Sequence, residues 1–410
     1  MFSVFKLFSL NGLGQVFYAL SSLFIVRYLP LEEYGIAACI LTFTNFCASI
    51  ATGRYDIAIL YEKNEEKWKA CIVVSFIVVC LLSSIFACLG FLLQKILFKG
   101  VVFYKNFIVL VFFLILGGSS FDLIIRKIYI YKGQFNALSY VLFVNYLLRS
   151  LLPFLLLFLW QDWKVCVVGE MLGVNISCAF FWVRQHNNIA KKLSLKNCFE
   201  VLKAYKHYPK YQLPSTIIDN VAFASIVPNL NFLFGSDIAG QFALVYRILL
   251  MPLSFFGRIM SDIYQHALRI SVQYKQLVKV FYKYTIVLLL IALGIYIPSG
   301  IVLFIFYKIN FFKSICDCFY LWPIIFLAFF QFIISPLSVA LLINKIGVFY
   351  KFSYDIIKLV CIATCFFFTY IYRFDHICCV KILSFTLITT YTFYYFLVYH
   401  YVRHFRYTES

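Results

Sequence analysis

The sequence predicts an all-α integral membrane protein of about twelve transmembrane helices, arranged as two six-helix bundles around a central cavity. Three observations predict it. Hydrophobic residues make up 63% of the 410 positions and charged residues 13%, against roughly 45–50% and about 25% in soluble domains. Apolar stretches long enough to span a bilayer, about 17–25 residues each, recur along the whole chain, and in hydrocarbon each must be a helix because no water satisfies an open backbone. The longest polar connection falls near mid-chain and separates six stretches from six.

The first span, 8–29, carries Asn11, Gln15, Tyr18 and Ser22 on one helical face. An interfacial amphipathic helix is one reading. A spanning helix whose stripe faces a cavity is preferred, because the opposite faces carry Leu, Phe, Ala and Ile without a basic rim. The second span, 35–59, closes on Arg54-Tyr55-Asp56-Ile57-Ala58-Ile59, which places an arginine and an aspartate at or inside the bilayer edge. An ionisable side chain facing lipid there costs roughly 2.5–3.5 kcal/mol or more, so such residues usually face protein or a water-filled pathway. Spans follow at 70–94 and 103–125. The fifth, 137–159, has Asn145 and Arg149 at i and i+4, with Pro153 continuing that face, and the sixth, 164–183, shows a weaker stripe of Glu170, Gly173 and Ser177.

In the seventh span, 209–233, Ser215 and Asp219 share a face framed by Pro214 and Pro228. A proline inside a span releases a backbone carbonyl and bends the helix. Bent helices around buried charges suit a transport pathway; the other reading is that Asp219 pairs with an arginine to hold the two halves together. The eighth span, 238–262, holds Arg247 and Arg258 eleven positions apart, about 20° of rotation on a straight helix. Asp262 follows Arg258 at i+4 and can pair with it, leaving Arg247 the deeper and less neutralised charge. The last spans are 284–306, 319–343, 349–372 and 377–401. In the eleventh, Asp355 and Lys358 at i and i+3 read as a self-neutralising, architectural pair.

The bundles are thus 1–184 and 209–410, joined by a linker, 185–208, that carries Lys191, Lys192, Lys196, Lys203 and Lys206. A faint repeat supports the division. Leu29-Pro30-Leu31-Glu32-Glu33-Tyr34-Gly35 and Phe234-Gly235-Ser236-Asp237-Ile238-Ala239-Gly240 are both short turns leading into a helix, with their last glycines 205 positions apart. Parallel repeats of this kind build many secondary transporters. With the N-terminus inside, loops on the cytoplasmic side hold more than twice as many lysines and arginines as those opposite, so both termini and the linker are expected in the cytoplasm. The net charge of +19 is then mainly a topology signal and an affinity for anionic lipid. Nucleic-acid binding is not expected, since the basic residues are dispersed over short loops.

No cleavable signal peptide is evident, because the first apolar run is long and lacks a small-residue cleavage site before Arg27. The fourteen cysteines lie mostly in apolar runs, where a small buried hydrophobe is the usual role. Cys316-x-Cys318 and Cys378-Cys379 have no histidine-rich partner set with a metal-site spacing. Neither a metal nor a cofactor is expected. No phosphate loop occurs, and Gly12-Leu13-Gly14 lacks the third glycine and preceding strand of a dinucleotide fingerprint. Every loop is short and the six histidines form no catalytic pairing, which argues against an enzyme.

Three boxes carry a family resemblance: Pro30-Leu31-Glu32-Glu33-Tyr34-Gly35; Arg54-Tyr55-Asp56-Ile57-Ala58-Ile59; and Ala239-Gly240-Gln241-Phe242-Ala243-Leu244-Val245-Tyr246-Arg247 with Pro252. In order and spacing the chain resembles the bacterial polysaccharide-unit flippases, the Wzx-type branch of the multidrug/oligosaccharidyl-lipid/polysaccharide exporter superfamily. The family often has glutamate where this chain has Asp56. The resemblance implies twelve helices in two bundles in the bacterial inner membrane. It also implies transport of an undecaprenyl-pyrophosphate-linked oligosaccharide, such as an O-antigen unit, from the cytoplasmic to the periplasmic leaflet. Energisation by an inward proton or sodium gradient, and work beside the polysaccharide polymerase and chain-length proteins, belong to the same implication.

A pyrophosphate headgroup cannot cross hydrocarbon unaided, and arginines can replace its hydration with bidentate contacts. Arg149 and Arg247, one from each half, are the expected headgroup residues, with Asn145 beside Arg149 and Arg54 near the periplasmic end of the site. Asp219 is the expected ion-coupling residue. A drug or small-cation exporter of the same superfamily is the first alternative; it would want unpaired carboxylates, whereas the sequence supplies more deep arginines than acids. A membrane-embedded acyl- or glycosyltransferase is the second, and would want paired histidines or carboxylates facing one leaflet.

Overall fold

The computed structural model describes residues 2–29, 31–97, 105–159, 162–189, 195–308 and 321–405. Cys316 and Cys318 fall outside that set, as do the side chains of Ser22 and Arg247. Among the described residues the chain is helical without a strand, as composition requires, and it divides into two compact units, Met1–Pro209 and Lys210–Ser410.

Unit 1 comprises α1 (Phe2–Tyr28), α2 (Leu31–Ala51), the short α3 (Ala58–Tyr61), α4 (Glu65–Leu97), α5 (Lys105–Tyr131), α6 (Phe135–Leu156), α7 (Lys164–Ile189) and α8 (Leu195–Ala204). Helix α1 packs along α6, α6 against α7, α5 against α2, α4 and α7, and α8 lies on α4. Unit 2 comprises α9 (Leu213–Ala224), α10 (Ile226–Phe234), α11 (Ser236–Pro252), α12 (Arg258–Gln273), α13 (Leu277–Lys308), α14 (Leu321–Leu337), α15 (Lys345–Tyr372) and α16 (His376–Arg403). There α14 packs on α11, α13 and α16, and α15 on α9 and α16.

Among the described residues nine helical segments are long and apolar enough to cross a membrane, matching α4 to α7, α9–α10 and α13 to α16. Helices α1, α2 and α11–α12 stand at the other three predicted spans. The chain is a multi-pass membrane protein. The segment expected as a linker carries α8, which belongs to unit 1 rather than hanging between units.

Prolines mark where the helices depart from regularity. A π-helical turn over Tyr208–Gln212 contains Pro209, a second over Leu253–Gly257 follows Pro252, and a 3-10 turn over Ser338–Leu342 follows Pro336. The α9–α10 join at Ser225 lies three residues before Pro228, where the ring removes a ladder donor and crowds the turn preceding it. The second π-turn has a further effect. It inserts a wider turn between Arg247 and Arg258, so the shared face expected from straight-helix geometry does not carry across. Beyond the turn Arg258 is exposed and Asp262 buried.

The second predicted span is also broken. Helix α2 stops at Ala51, and Gly53 and Arg54 both take left-handed backbone conformations, with φ of 57° and 63°. A 3-10 turn over Tyr55–Ile57 leads into α3. Gly53 suits this place on two counts, since a Cβ would meet Val78 Cγ1 at 2.9 Å and would be strained at that φ.

Candidate functional site

Unit 1 buries a chain of polar side chains built on α6. Asn145 and Arg149 share a face, one turn apart, and Arg149 Nη1 donates to Asn145 Oδ1 at 3.4 Å. Asn145 Nδ2 in turn donates to Asp122 Oδ1 of α5 at 3.2 Å. Arg149 Nη2 forms an ion pair with Glu170 of α7, and the guanidinium lies 5.3 Å from the centroid of the Tyr18 ring on α1. The helices come close enough because α7 presents glycine there. A Cβ on Gly169 would fall 2.5 Å from Pro153 Cγ, and one on Gly173 would fall 2.8 Å from the Arg149 backbone nitrogen.

A cavity of about 60 Å³ opens beside this pair, with Tyr18, Tyr34, Arg149, Cys166 and Glu170 in its wall. That volume holds about two waters. The two members of the pair are unequally covered: the arginine side chain is 19% exposed and the carboxylate 4%. Arg149 Nε is buried without a hydrogen-bond partner, so the guanidinium retains donor capacity that the helices do not use.

The Arg54 box lies elsewhere. Thr52 Oγ1 donates to Asp56 Oδ1 at 2.7 Å, and the Arg54 backbone N–H donates to Thr52 Oγ1 at 3.2 Å, so the buried carboxylate holds the turn together. This end of unit 1 is where α8 docks. Tyr205 OH donates to Glu62 at 3.0 Å, Asn197 to Glu66 at 3.3 Å, and Lys67 pairs with Glu200 at 3.1 Å. Burial, and then the Glu62 carboxylate, push the Tyr205 hydroxyl well above its ordinary range, which keeps it a donor. Arg54 therefore stands at the same end as the 185–208 segment. The expectation that it lies near the periplasmic end of a site is at odds with the expectation, from charge, that this segment is cytoplasmic.

Unit 2 has its own buried network, on α9 and α15. Lys358 pairs with Asp219 of α9 and lies 3.5 Å from Asp355 Oδ1. Asp355 Oδ2 accepts from Lys351 at 2.9 Å and from the Ser215 hydroxyl, and Lys351 also reaches Ser215 Oγ at 3.1 Å. The Lys358 and Asp355 side chains are 3% and 2% exposed, whereas Asp219 is 38% exposed. Tyrosines surround the network: Tyr354 stacks on Tyr394 with ring centroids 3.6 Å apart, and Tyr246 OH donates to Gln331 at 3.2 Å.

Of the residues expected to form a site, the structure joins Asn145 to Arg149, places Arg54 at a distant end of unit 1, and pairs Asp219 with a lysine. Arg247 sits on α11, with its side chain outside the described residues. Nothing in the sequence singles out Asp122, Glu170 stands out only as part of a weak stripe, and Asp355–Lys358 reads as self-contained, whereas in the structure Lys358 also pairs with Asp219. One signal is present in the sequence: Arg149 and Glu170 are deep ionisable groups of opposite sign in successive spans, and neither can stay buried unpaired. Among the described residues no group of three or more His, Cys, Asp or Glu could hold a metal ion.

Neither a protein-family model nor a curated protein sequence matches the chain. Solved structures do. A MATE mutant crystal structure aligns with TM-score 0.73 over 98% of this chain and 95% of that one, at 14% identity. A MOP superfamily transporter from Pyrococcus furiosus, described by the reverse polarity of its binding pocket, aligns with TM-score 0.72 over 98% and 94%, at 14% identity. The MATE transporter ClbM in complex with Rb+ gives 0.71 over 98% and 93%, at 12% identity. At these identities the likeness is one of fold: the chain has the all-α fold of these MOP-superfamily transporters.

Proposed function

We propose that this chain is a membrane transporter that carries an undecaprenyl-pyrophosphate-linked oligosaccharide from the cytoplasmic to the periplasmic leaflet of the bacterial inner membrane by alternating access. The observation that carries the reading is which member of the buried pair in unit 1 reaches its surface. Arg149 does, beside an aromatic wall, while its carboxylate partner is covered. A guanidinium with unused donors is a phosphate-recognition element. The 60 Å³ cavity cannot enclose a sugar headgroup, so one phosphate would meet Arg149 at the cavity mouth with the rest of the headgroup outside it. Asn145 positions Arg149, and Arg247 is assigned as the second headgroup arginine on its place in the sequence. Arg54 belongs to the cytoplasmic entry.

In unit 2 the exposed member of the pair is the acid, Asp219, which is assigned to an inward proton or sodium ion. Both termini are placed in the cytoplasm, and the polysaccharide polymerase and chain-length proteins would take the flipped unit. Gene deletion tests the reading. Lipid-linked units should remain trapped on the inner leaflet, with the surface glycan lost and unit synthesis continuing. Disappearance of the lipid-linked intermediate itself would point to a transferase.

A second reading, export of drugs or small cations, is favoured by the MATE transporters that share the fold and by the exposed carboxylate of Asp219. It predicts that the deletion strain keeps its glycan and becomes sensitive to cationic dyes.

A further inference from the structure

We infer that unit 2 holds a transition-metal site built on His400 and His404, at the place where the end of α16 meets the start of α15. The two histidines are one turn apart on α16, and their ring centroids lie 4.3 Å apart. At i and i+4 on a helix, two imidazoles share a face and can hold one ion between them. Two rings that each bind an ion through nitrogen at about 2.0–2.1 Å have their centres roughly 3.2 Å from it. A separation of 4.3 Å then corresponds to an angle of about 85° at the ion, nearer octahedral or square-planar coordination than tetrahedral, which favours nickel or copper over zinc.

A hydrogen bond points to the same ligand. His404 Nδ1 lies 3.0 Å from the His400 carbonyl oxygen. A carbonyl only accepts, so Nδ1 carries the proton and, in the neutral ring, Nε2 carries the lone pair. A ring N–H held in this way is how metal-bound histidines are usually oriented. The His400 ring makes no hydrogen bond among the described residues. Both rings stand in the wall of a cavity of about 360 Å³, with Asn344, Tyr350, Tyr401 and Phe405. Asn344 Oδ1 is already committed, accepting from the Gly347 N–H at 3.0 Å and from Tyr401 OH at 2.8 Å. That ties the start of α15 to the end of α16 and holds the wall in place without the ion. The ion therefore has two protein ligands and completes its shell with water, for which the cavity has room. Among the described residues no carboxylate lines this wall, so magnesium and calcium, which require oxygen ligands, find no ligand set here. The site does not depend on what the chain transports.

The test is a calorimetric titration of tag-free full-length protein in detergent with nickel chloride, and with magnesium chloride for comparison. Wild-type protein should bind one nickel ion at this site and show no magnesium binding there. His400→Ala and His404→Ala should each weaken nickel binding by at least the roughly 10–100-fold that even outer-shell partners of a metal site are worth. His376→Ala, at the other end of α16, should leave it unchanged. Melting gives a second reading: the wild-type temperature should rise by about 3–6 °C at a hundredfold excess of nickel over Kd and fall back with EDTA. Both histidine side chains are exposed, so each variant should melt with the wild type when metal is absent. If an alanine variant melts lower, His400→Gln and His404→Gln, which keep a polar side chain of similar reach, are titrated in its place. Equal nickel affinity in the wild type and in the paired His400→Ala/His404→Ala variant would show an adventitious ion and overturn the inference. Loss of binding in His376→Ala, or magnesium bound as tightly as nickel, would overturn it as well.

Discussion

Arg149 is half of a buried ion pair and, on the proposed reading, the residue that meets a phosphate, and the two roles respond differently to substitution. Arg149→Ala strands Glu170, which is 4% exposed, and breaking a buried pair from one side costs about 3–5 kcal/mol. The variant should accumulate poorly in the membrane. Removing both partners, Arg149→Ala with Glu170→Ala, should restore abundance without restoring surface glycan, because the headgroup contact is still missing; glycan recovery in the double variant would make the arginine purely structural. Arg149→Lys should rescue in part, since a point charge lacks the planar fork. A second prediction concerns the Arg54 box. Thr52→Val removes the donor to buried Asp56 and should lower thermal stability by about 1–3 kcal/mol, measured on purified protein. The Asn145–Arg149 relation was legible in the sequence because one helical turn separates the two residues. The bonds to Asp122, Glu170 and Tyr18 were not, because they cross between helices whose azimuths no single-sequence period fixes.

Helices meet where side chains are smallest. Gly173→Ala would drive a Cβ to 2.8 Å from the Arg149 backbone nitrogen, an atom that cannot yield without moving α6, so a loss of about 1–3 kcal/mol is expected. Gly294 on α13 is the control: nothing lies within 4 Å of its Cβ position, and Gly294→Ala should be neutral or stabilising by up to about 1 kcal/mol. Melting of the two variants side by side checks the pair. The docking of α8 should rest more on its tyrosine than on its ion pair. Lys67 and Glu200 are each 42% exposed, a setting in which such pairs contribute about 0–1 kcal/mol, whereas Tyr205, just beyond the end of α8, donates to Glu62 from a half-buried position. The spanning helices and their order were legible from apolar length, whereas α8, in the segment expected as a linker, was not. The π-turns were not, since proline announces that a helix will be disturbed and leaves open how the freed groups are re-satisfied, and the Gly53–Arg54 break has no proline near it to announce it.

Across the molecule, topology is the property most open to direct test. Alkaline phosphatase fused at residue 195 should be inactive, and a fusion at residue 64 should report the same side, because Glu62, Glu66 and Lys67 are joined to α8. Opposite results at the two sites would contradict the packing of unit 1 as well as the charge argument. The internal repeat reaches further than its glycines. Helix α2 begins at Leu31 and α11 at Ser236, the same 205-position offset. Shifted by that offset, the π-turn over Leu253–Gly257 falls on 48–52, where α2 gives out at Ala51. The charges do not follow: Arg54 maps to Ile259 and Asp56 to Ser261. Duplication and fusion of a single bundle would account for both facts: each copy would receive an interrupted helix, and the chemistry placed around the interruption would then drift separately, the break kept and the charges replaced.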